Sequence, residues 1–187
     1  PKMPMNATQQ QQQRRIRLRP TLLSDLDFVG TVETDGQNLP FITPWERTQH
    51  EGAIRFPDSR HFVVEAGEAY ERAGFVILQG CRNPQRSVEL KRVVLQPKGQ
   101  GLGRACVRRL KAMAFRDLKV HRFWLDVKSL NTRALALYAS EGFVEEGRLR
   151  EAVRVADGYD TLVVMSMLDR EYDARVAMEL EGDLAAG

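Results

Sequence analysis

A strand that runs directly into a glycine-rich turn and a helix constrains this chain more than any other feature. Residues 93–105 read Val-Val-Leu-Gln-Pro-Lys-Gly-Gln-Gly-Leu-Gly-Arg-Ala. The β-branched start is typical of a strand, and the glycines let the backbone approach a ligand closely. Successive N–H groups at such a turn, with the positive end of the following helix, attract phosphate. A tight strand–helix connection without a ligand would use the same residues, so the turn alone leaves both interpretations open.

The turn fits neither of two common nucleotide-binding loops. A Walker loop ends in Gly-Lys-Ser/Thr, and this segment has no such ending. A dinucleotide-binding loop has the spacing Gly-x-Gly-x-x-Gly, whereas Gly99, Gly101 and Gly103 follow one another at every second position. The turn is therefore neither a Walker loop nor a dinucleotide-binding loop.

A second informative segment, residues 131–143, reads Asn-Thr-Arg-Ala-Leu-Ala-Leu-Tyr-Ala-Ser-Glu-Gly-Phe. Asn131, Ala134, Tyr138 and Gly142 recur at spacings of three and four, so they share one face of a helix. Asn131 stands where a helix N-cap belongs, and Gly142 where a helix ends. Taken alone, the ring of Tyr138 is explained as an anchor between this helix and a sheet.

The remaining pattern alternates strands and helices. Strands are predicted at 16–20, 61–65, 74–78, 87–95 and 122–127, followed by a hairpin of 148–155 and 159–168 that turns at Asp157-Gly158. Helices are predicted near 48–55, over 102–118 and over 131–141, with a surface helix or a frayed end after 169. The first helix follows residue 20, with Thr21 or Ser24 as its cap and Leu22, Leu26, Val29 and Val32 on its apolar side. Such a pattern is typical of a mixed α/β domain.

Size and composition narrow the class of protein. The 187 residues suffice for one domain, and 43% hydrophobic with 28% charged residues is ordinary for a soluble globular chain. The net charge of +3 is small and spread along the sequence, with no basic stripe that would favour nucleic acid. No apolar run reaches the ~20 residues of a membrane span, and residues 1–15 lack the apolar centre of a signal peptide. We therefore expect a cytoplasmic protein that binds neither nucleic acid nor membrane.

The chain divides into a domain with two short ends. Residues 1–15, which include a run of glutamines, are predicted to be a flexible leader. Residues 16–172 form the single domain, and residues 173–187 form a C-terminal tail. Cys81 and Cys106 do not make a disulfide framework, and Cys106 falls at helical spacing among apolar residues, which predicts a reduced core thiol.

Taken together, the two segments resemble the GNAT acetyltransferase superfamily. Its acetyl-CoA signature is Gln/Arg-x-x-Gly-x-Gly/Ala, and residues 98–103 match it with Lys98 in place of Gln or Arg. The helix that follows in the family typically reads Asn-x-x-Ala-x-x-x-Tyr-x-x-x-Gly-Phe, as residues 131–143 do. The continuation after Phe143 resembles the branch of ribosomal-protein and polyamine acetyltransferases. The resemblance spans residues 16–172 and is strongest over 89–143.

This resemblance implies a fold and a set of cofactor-binding residues. The GNAT fold is a twisted, mostly antiparallel sheet of six to seven strands, flanked by helices, in which the fourth and fifth strands splay apart. Acetyl-CoA enters the gap, with its pantetheine arm along the fourth strand and its pyrophosphate on the glycine turn. The residues so assigned to acetyl-CoA are Val93, Val94, Leu95, Lys98, Gly99, Gln100, Gly101, Leu102, Gly103, Arg104 and Asn131.

The resemblance also implies two catalytic residues. Glu89 stands where several family members have a general base, and Tyr138 where the family has the proton donor for the departing thiolate. An alkyl amine with a pKa near ~10.4 must lose a proton before it attacks, so a base has a clear role. Glu89 is equally explained as the ion-pair partner of Lys91 or Arg92. His50, His61 and His121 have no ligand spacing, so no metal is expected.

We therefore predict an N-acetyltransferase that moves an acetyl group from acetyl-CoA to a primary amine by direct attack in a ternary complex. The acceptor is either a small amine or polyamine, or the N-terminal amine of a protein. A non-catalytic acyl-CoA-binding sensor is the alternative from another class. A homodimer is compatible with the sequence, which does not fix the oligomeric state.

Overall fold

The computed structural model describes residues 15–185 except Pro97 and Gln100. Seven strands form one sheet in the order β1-β2-β3-β4-β5-β7-β6. All neighbouring strands are antiparallel except β4 and β5. The strands are β1 (Ile16–Pro20), β2 (Arg60–Ala66), β3 (Glu71–Gln79), β4 (Ser87–Leu95), β5 (Arg122–Lys128), β6 (Val144–Val155) and β7 (Gly158–Leu168).

Helices cover both faces of this sheet. The α-helices among the described residues are α1 (Leu26–Glu33), α2 (Arg47–Arg55), α3 (Leu102–Ala112), α4 (Thr132–Ser140) and α5 (Asp169–Ala185). A 3-10 turn, Leu23–Asp25, precedes α1, and a π-helical turn, Met113–Asp117, extends α3. None of these helices is long and apolar enough to cross a membrane.

Two hydrophobic clusters hold the helices against the sheet. The larger cluster lies on the face that carries Val88 and Leu90 of β4, and Tyr138 of α4 packs against it. The smaller cluster lies on the opposite face, where Val29 of α1 packs with Phe75 and Val94. These faces are called the helix α3–α4 face and the α1 face below. Since strand residues alternate between faces, Glu89 points to the α1 face, opposite to its neighbours Val88 and Leu90.

The predicted splay between the fourth and fifth strands is confirmed. Strand β4 pairs with β5 over three residues only, from Ser87 opposite Arg122 to Glu89 opposite Trp124. A register shift against β3, at Ile77–Leu78, leaves Lys91 as an extra residue and bends β4 just beyond that point. The second half of β4 therefore presents backbone groups that no strand on that side satisfies. The fold class expected from the GNAT resemblance is confirmed.

The beginning of the first helix differs from the prediction. Neither Thr21 nor Ser24 caps it; the Asp25 carboxylate accepts the Leu22 N–H at 2.9 Å and pairs with Arg19 at 2.7 Å. Leu22 does not belong to the apolar side, since it is 60% exposed, whereas Leu26, Val29 and Val32 are buried as predicted. Thr21 is instead buried, with its hydroxyl directed to a histidine. Asp25 is the N-cap residue of α1, and its carboxylate bonds back to the start of the 3-10 turn rather than to an N–H of α1.

The other elements lie close to their predicted positions. Strand β4 has the predicted bounds, and α2 begins one residue before the predicted 48–55. The predicted helix 102–118 is an α-helix only to residue 112 and continues as the π-helical turn. Asp157 lies in the closing turn, and Gly158 already belongs to β7. The sequence after 169 forms α5, in which Tyr172 is buried and stacks on Phe115.

Candidate active site

An open cleft of about 750 Å³ lies where β4 and β5 separate. Its walls come from the second half of β4, the turn before α3, the first turns of α3, helix α4 and the segment after α1. The lining residues are Asn38, Phe41, Ile42, Val93, Val94, Leu95, Lys98, Gly99, Gly101, Leu102, Gly103, Arg104, Val107, Asn131, Arg133, Ala134, Ala136, Leu137, Tyr138 and Ser140. The volume suits a cofactor-sized ligand, since such sites measure ~300–1,000 Å³.

The glycine turn forms one end of the cleft. Gly99 and Gly101 have φ values of 82° and 74°, a left-handed conformation that glycine adopts without strain. Gly101 is the N-cap of α3, and a Cβ atom added to it would meet no atom within 4 Å. The position therefore faces open space at a helix N-terminus, where N–H groups attract anions.

Gly103 contributes in a different way from the other two glycines. It lies inside the first turn of α3, and an added Cβ would come within 3.3 Å of the Leu137 side chain of α4. The absence of a side chain at residue 103 thus allows α3 and α4 to approach closely. This contact sets the width of the cleft between the two helices.

The cleft around the glycine turn is lined by three cationic side chains, those of Lys98, Arg104 and Arg133. None of the described lining residues is acidic. Lys98 lies 5.9 Å from the centre of the Phe41 ring, and burial lowers its pKa, with Arg133 adding to the shift. The Arg133 guanidinium lies 3.9 Å from the position of a Cβ on Gly99. Sequence analysis missed Arg133, because the family motif leaves that position unspecified. This end of the cleft is electropositive and fits the phosphates of CoA.

Arg104 is held by a buried carboxylate. Its guanidinium lies 2.7 Å from Glu141, whose side chain is completely buried. Arg108 and Lys111 also bind this carboxylate, each at 3.0 Å. Although burial opposes ionisation of Glu141, the hydrogen bonds from Arg104 and Lys111 hold its pKa below the ordinary value. Glu141 thereby locks the end of α4 to α3 and leaves Arg104 partly neutralised at the cleft.

Helix α4 positions the two polar residues that the second motif contributes. Asn131 is its N-cap, and the Asn131 side chain accepts the Ala134 N–H at 3.2 Å. On the same face of the helix, the Tyr138 ring packs edge-on against Phe143, with 5.6 Å between ring centres. Burial raises the pKa of Tyr138 above its ordinary value of 10.0, and Cys106 adds to the shift. The phenol is therefore protonated throughout the neutral range.

Glu89 lies outside the residues that line the cleft. Its carboxylate is 3.8 Å from Lys91, while Arg92 turns away to Glu33. Burial raises the pKa of Glu89; Lys91 lowers it and Asp126 raises it further. Asp126 is two residues beyond Trp124, the register partner of Glu89, so both carboxylates point to the α1 face. Of the two ion pairs that sequence analysis left open, only the one with Lys91 is present.

The segment after α1, residues 34–46, forms the cleft wall that sequence analysis could not specify. Phe41 and Ile42 line the cleft, and buried Asn38 donates to the Val32 carbonyl at 2.8 Å. Lys128 at the end of β5 reaches the Pro40 carbonyl at 3.5 Å, which ties the segment across the gap. No periodicity marks this irregular segment, so only the fold reveals its position.

Comparison with protein families agrees with this geometry. Residues 29–143 match the model of the Acetyltransferase (GNAT) family. The chain belongs to the GNAT acetyltransferase family. It is accordingly an acyl-CoA-dependent N-acetyltransferase with acetyl-CoA as the donor substrate, as the sequence predicted.

Several bacterial relatives of this GNAT acetyltransferase have named activities. The spermidine N(1)-acetyltransferase of Escherichia coli strain K12 is 25% identical over 169 residues, which cover 84% of this chain and 88% of the relative. The putative ribosomal N-acetyltransferase YdaF of Bacillus subtilis is 28% identical over 59% of this chain and 62% of its own. The crystal structure of Vibrio cholerae spermidine N-acetyltransferase in complex with CoA and spermine superposes with a TM-score of 0.76, at 27% identity, covering 84% of this chain and 97% of that one.

The structure thus brings together most of the residues predicted to bind acetyl-CoA. The cleft of this GNAT acetyltransferase contains Val93, Val94, Leu95, Lys98, Gly99, Gly101, Leu102, Gly103, Arg104 and Asn131, together with Tyr138. Gln100, the remaining predicted residue, lies outside the described part of the chain. The open edge of β4, the left-handed glycine turn and the surrounding cations all fit a CoA thioester.

Neither cysteine and no histidine is among the described residues that line the cleft. Cys106 is fully buried, and burial raises the pKa of its thiol to about 12. Within the described residues, no three His, Cys, Asp or Glu side chains are grouped as a metal site. A V. cholerae spermidine/spermine N-acetyltransferase structure, 26% identical and with a TM-score of 0.74, is a complex with manganese ions. Metal independence of this chain therefore stays a prediction.

Proposed function

We propose that this GNAT acetyltransferase acetylates a cationic primary amine of the polyamine class, by direct attack in a ternary complex. The observation that carries the proposal is the unpaired half of β4, which faces Tyr138 across a cleft that ends in the glycine turn. Spermidine acetyltransferases among the relatives supply the class of acceptor. Because another relative is a putative ribosomal N-acetyltransferase, the N-terminal amine of a protein is the second acceptor class that we consider.

The donor is held by backbone groups and by the electropositive turn. Amides and carbonyls of Val93, Val94 and Leu95 bind the pantetheine arm like an added strand, and one N–H points to the thioester oxygen. The residues from Gly99 to Arg104, including Gln100, hold the pyrophosphate, with Lys98 beside them. The side chain of Asn131 also reaches the pantetheine. Donors directed at the carbonyl oxygen stabilise the tetrahedral intermediate.

Glu89 prepares the amine for attack. It takes a proton from the alkylammonium, directly or through a water molecule, because only the neutral amine has a free electron pair. The nitrogen then bonds to the thioester carbon, and the carbonyl electron pair moves to the oxygen. The intermediate gives its excess N–H proton to water, the carbonyl re-forms, and the C–S bond breaks with its electron pair on sulfur. The raised pKa of Glu89 favours this role, since the carboxyl then titrates closer to neutral pH.

Tyr138 stabilises the departing sulfur. Its hydroxyl donates to the developing thiolate, and the products are an amide and free CoA thiol. A thiol has a pKa near ~8.5, well below the raised pKa of the Tyr138 phenol, so complete proton transfer from Tyr138 is uphill. Tyr138 therefore acts mainly through a hydrogen bond in the transition state, and solvent supplies the proton as CoA leaves.

Charge favours a cationic acceptor that approaches from the α1 face. The described residues of the cleft carry no carboxylate, whereas Glu89 and Asp126 lie together where β4 and β5 begin to separate. An ammonium group is attracted to that pair, and the CoA phosphates are attracted to the opposite end of the cleft.

We also propose that the chain self-associates, because the related V. cholerae enzyme, with a TM-score of 0.72 at 27% identity, has a dodecameric structure.

The test is a panel of acceptors monitored by release of free CoA. It includes spermidine, spermine, amino acids, aminoglycosides and short peptides with free N-termini. We expect the highest kcat/KM with the polyamines. A preference for the peptides would instead favour the second acceptor class, and tight acetyl-CoA binding without turnover on any acceptor would favour the sensor.

A further inference from the structure

A buried carboxylate on the α1 face connects three elements that border the acceptor side of the cleft. Glu33 is the last residue of α1 and is 1% exposed. It accepts the Trp45 N–H at 2.8 Å, lies 3.0 Å from His50 Nε2 of α2, and pairs with Arg92 of β4 at 2.5 Å. One side chain thus joins the end of segment 34–46, helix α2 and the strand of the cleft.

A chain of hydrogen bonds extends from Glu33 into the core. His50 Nδ1 lies 3.0 Å from His61 Nε2, and His61 Nδ1 lies 2.8 Å from the Thr21 hydroxyl. Burial, with help from His50, lowers the pKa of His61 to about 4, so His61 is neutral near pH 7. One arrangement then satisfies every group: Thr21 donates to His61, His61 donates to His50, and His50 donates to Glu33.

Glu33 remains ionised within this chain. Although burial opposes ionisation, hydrogen bonds from His50 and Trp45 and the charge of Arg92 hold its pKa below the ordinary value. Its negative charge is compensated by Arg92, whose guanidinium also lies 5.3 Å from the centre of the Trp45 ring. Well-packed apolar residues often serve stability as well as a buried ion pair does. Beyond stability, the hydrogen bonds and the ion pair of Glu33 fix the relative positions of the elements that they join, which apolar packing would not do.

The consequence is the position of the acceptor-side wall. Segment 34–46 is anchored at both ends of its course: Asn38 donates to Val32 near the start, and Trp45 donates to Glu33 at the end. Between these anchors, Phe41 and Ile42 line the cleft.

We propose that Glu33 is a positioning residue for the amine acceptor, which it serves by fixing segment 34–46 against β4. The inference rests on the proposed amine acetylation. Glu33 does not contact the reacting atoms, and it acts through segment 34–46, whose Ile42 packs against the hydrophobic cluster of the α1 face. Its loss affects use of the acceptor, whereas the glycine turn that holds the donor lies on other elements.

The test compares Glu33→Gln with a matched variant at the other end of the same helix. Asp25 is also a buried carboxylate, with bidentate contacts to Arg19 at 2.7 and 2.9 Å, but it does not contact segment 34–46 in the described structure. Asp25 also pairs with Arg72 of β3 at 3.4 Å, so Asp25→Asn measures the effect of losing a buried carboxylate at the start of α1 and leaves segment 34–46 untouched. With spermidine as acceptor, we expect Glu33→Gln to raise the acceptor KM by about tenfold or more, as loss of a buried charged hydrogen bond does. The Kd for acetyl-CoA should stay within about twofold, since an effect below ~0.5 kcal/mol is that of a distant substitution.

A second readout keeps the inference testable independently of turnover. Amide hydrogen exchange in segment 34–46, including the Trp45 N–H, should become faster in Glu33→Gln, with no change in α3, and Asp25→Asn should not change it. Equal effects of the two variants on acceptor KM and on exchange would overturn the inference, as would unchanged exchange in segment 34–46. If Glu33→Gln does not fold, Glu33→Gln combined with Arg92→Gln removes both charges and is measured in the same way. Lack of turnover by the wild-type protein with every amine would contradict the proposed function instead, and the exchange measurement would still decide the role of Glu33.

Discussion

Glu89 and Tyr138 lie on opposite faces of the sheet, on the two sides of the gap between β4 and β5. Tyr138 packs against the cluster that contains Leu90, whereas Glu89, its strand neighbour, points the other way. A thioester threaded through the gap would meet the amine on the Glu89 side and release its sulfur on the Tyr138 side. This arrangement places the proposed base and the proposed hydrogen-bond donor to the sulfur on opposite sides of the reacting thioester.

Tyr138→Phe tests the donor side. The substitution keeps the ring and its contact with Phe143 and removes only the hydroxyl. We expect kcat to fall by ~10²-fold or more, since loss of one preorganised hydrogen-bond donor to a developing negative charge costs ~10²–10³. The acetyl-CoA affinity and the thermal stability should hardly change. If Tyr138 were only a core anchor, kcat would stay near that of the wild type; kcat and Tm are therefore measured on the same preparation.

The acceptor side is tested by the pH dependence of kcat/KM. Glu89 must be ionised to act as a base, so kcat/KM should rise with pH through its pKa, which lies above the ordinary 4.5. Asp126→Asn removes a negative charge that raises this pKa, so the rising limb should move to lower pH. Glu89→Gln should abolish the limb and lower kcat. An unchanged profile and kcat in Glu89→Gln would leave Glu89 only as the partner of Lys91.

Gly101→Val tests the glycine turn. Gly101 has a φ of 74°, and a side chain there would project into the open end of the cleft. We expect the Kd for acetyl-CoA to rise by about tenfold or more, which corresponds to ~1.4 kcal/mol. Gly67→Val is the matched control, since Gly67 has a φ of 77° and equally open surroundings in the turn between β2 and β3. An affinity loss that the control shares would assign the effect to backbone strain alone.

Buried His61 makes the free energy of unfolding depend on pH. The pKa of His61 falls from 6.5 in the unfolded chain to about 4 in the folded one, because of burial and then of His50, against smaller opposite effects of Glu33 and Asp25. The unfolded state therefore binds a proton more tightly, and stability is lost as the pH falls from 6.5 to about 4. The loss amounts to at most about 3.5 kcal/mol, since each pKa unit corresponds to about 1.4 kcal/mol. His61→Gln should flatten this part of the curve of unfolding free energy against pH; an unaltered curve would contradict the assignment.

Much of the fold was accessible from the sequence because its signals are local. The β-branched run of β4 and the glycine spacing after it predict the strand, the turn and the start of α3 directly. The Asn131 cap was also predicted correctly, since a cap depends on residues three positions apart. The choice of Asp25 over Thr21 and Ser24 was missed, because Asp25 is selected by its contact with Arg19 on another element.

The parts of the site that escaped prediction depend on distant contacts. Glu33 and Arg92 are separated by 59 positions, so no local sequence pattern predicts their ion pair. Glu141 follows the family's tyrosine in a position that the motif leaves open, yet it is the buried partner of three cations on α3. Phe41 and Ile42 lie in an irregular segment that is held by hydrogen bonds to Glu33 and from Lys128. Sequence periodicity does not predict either of these contacts.

The central claim, direct acetyl transfer to an amine, is tested most directly by the stoichiometry of a single-turnover reaction. Acetyl-CoA, spermidine and the wild-type protein are mixed with a chelator present, and free CoA, acetylated amine and protein-bound acetyl groups are quantified by mass spectrometry over time. The account predicts one acetylated amine for each CoA released, no release without acceptor, and no acetyl group on Cys81 or Cys106. The same outcome is expected for the Cys81→Ser/Cys106→Ala protein. Accumulation of an acetyl-cysteine adduct, loss of turnover in the chelator, or CoA release without an acetylated amine would contradict it.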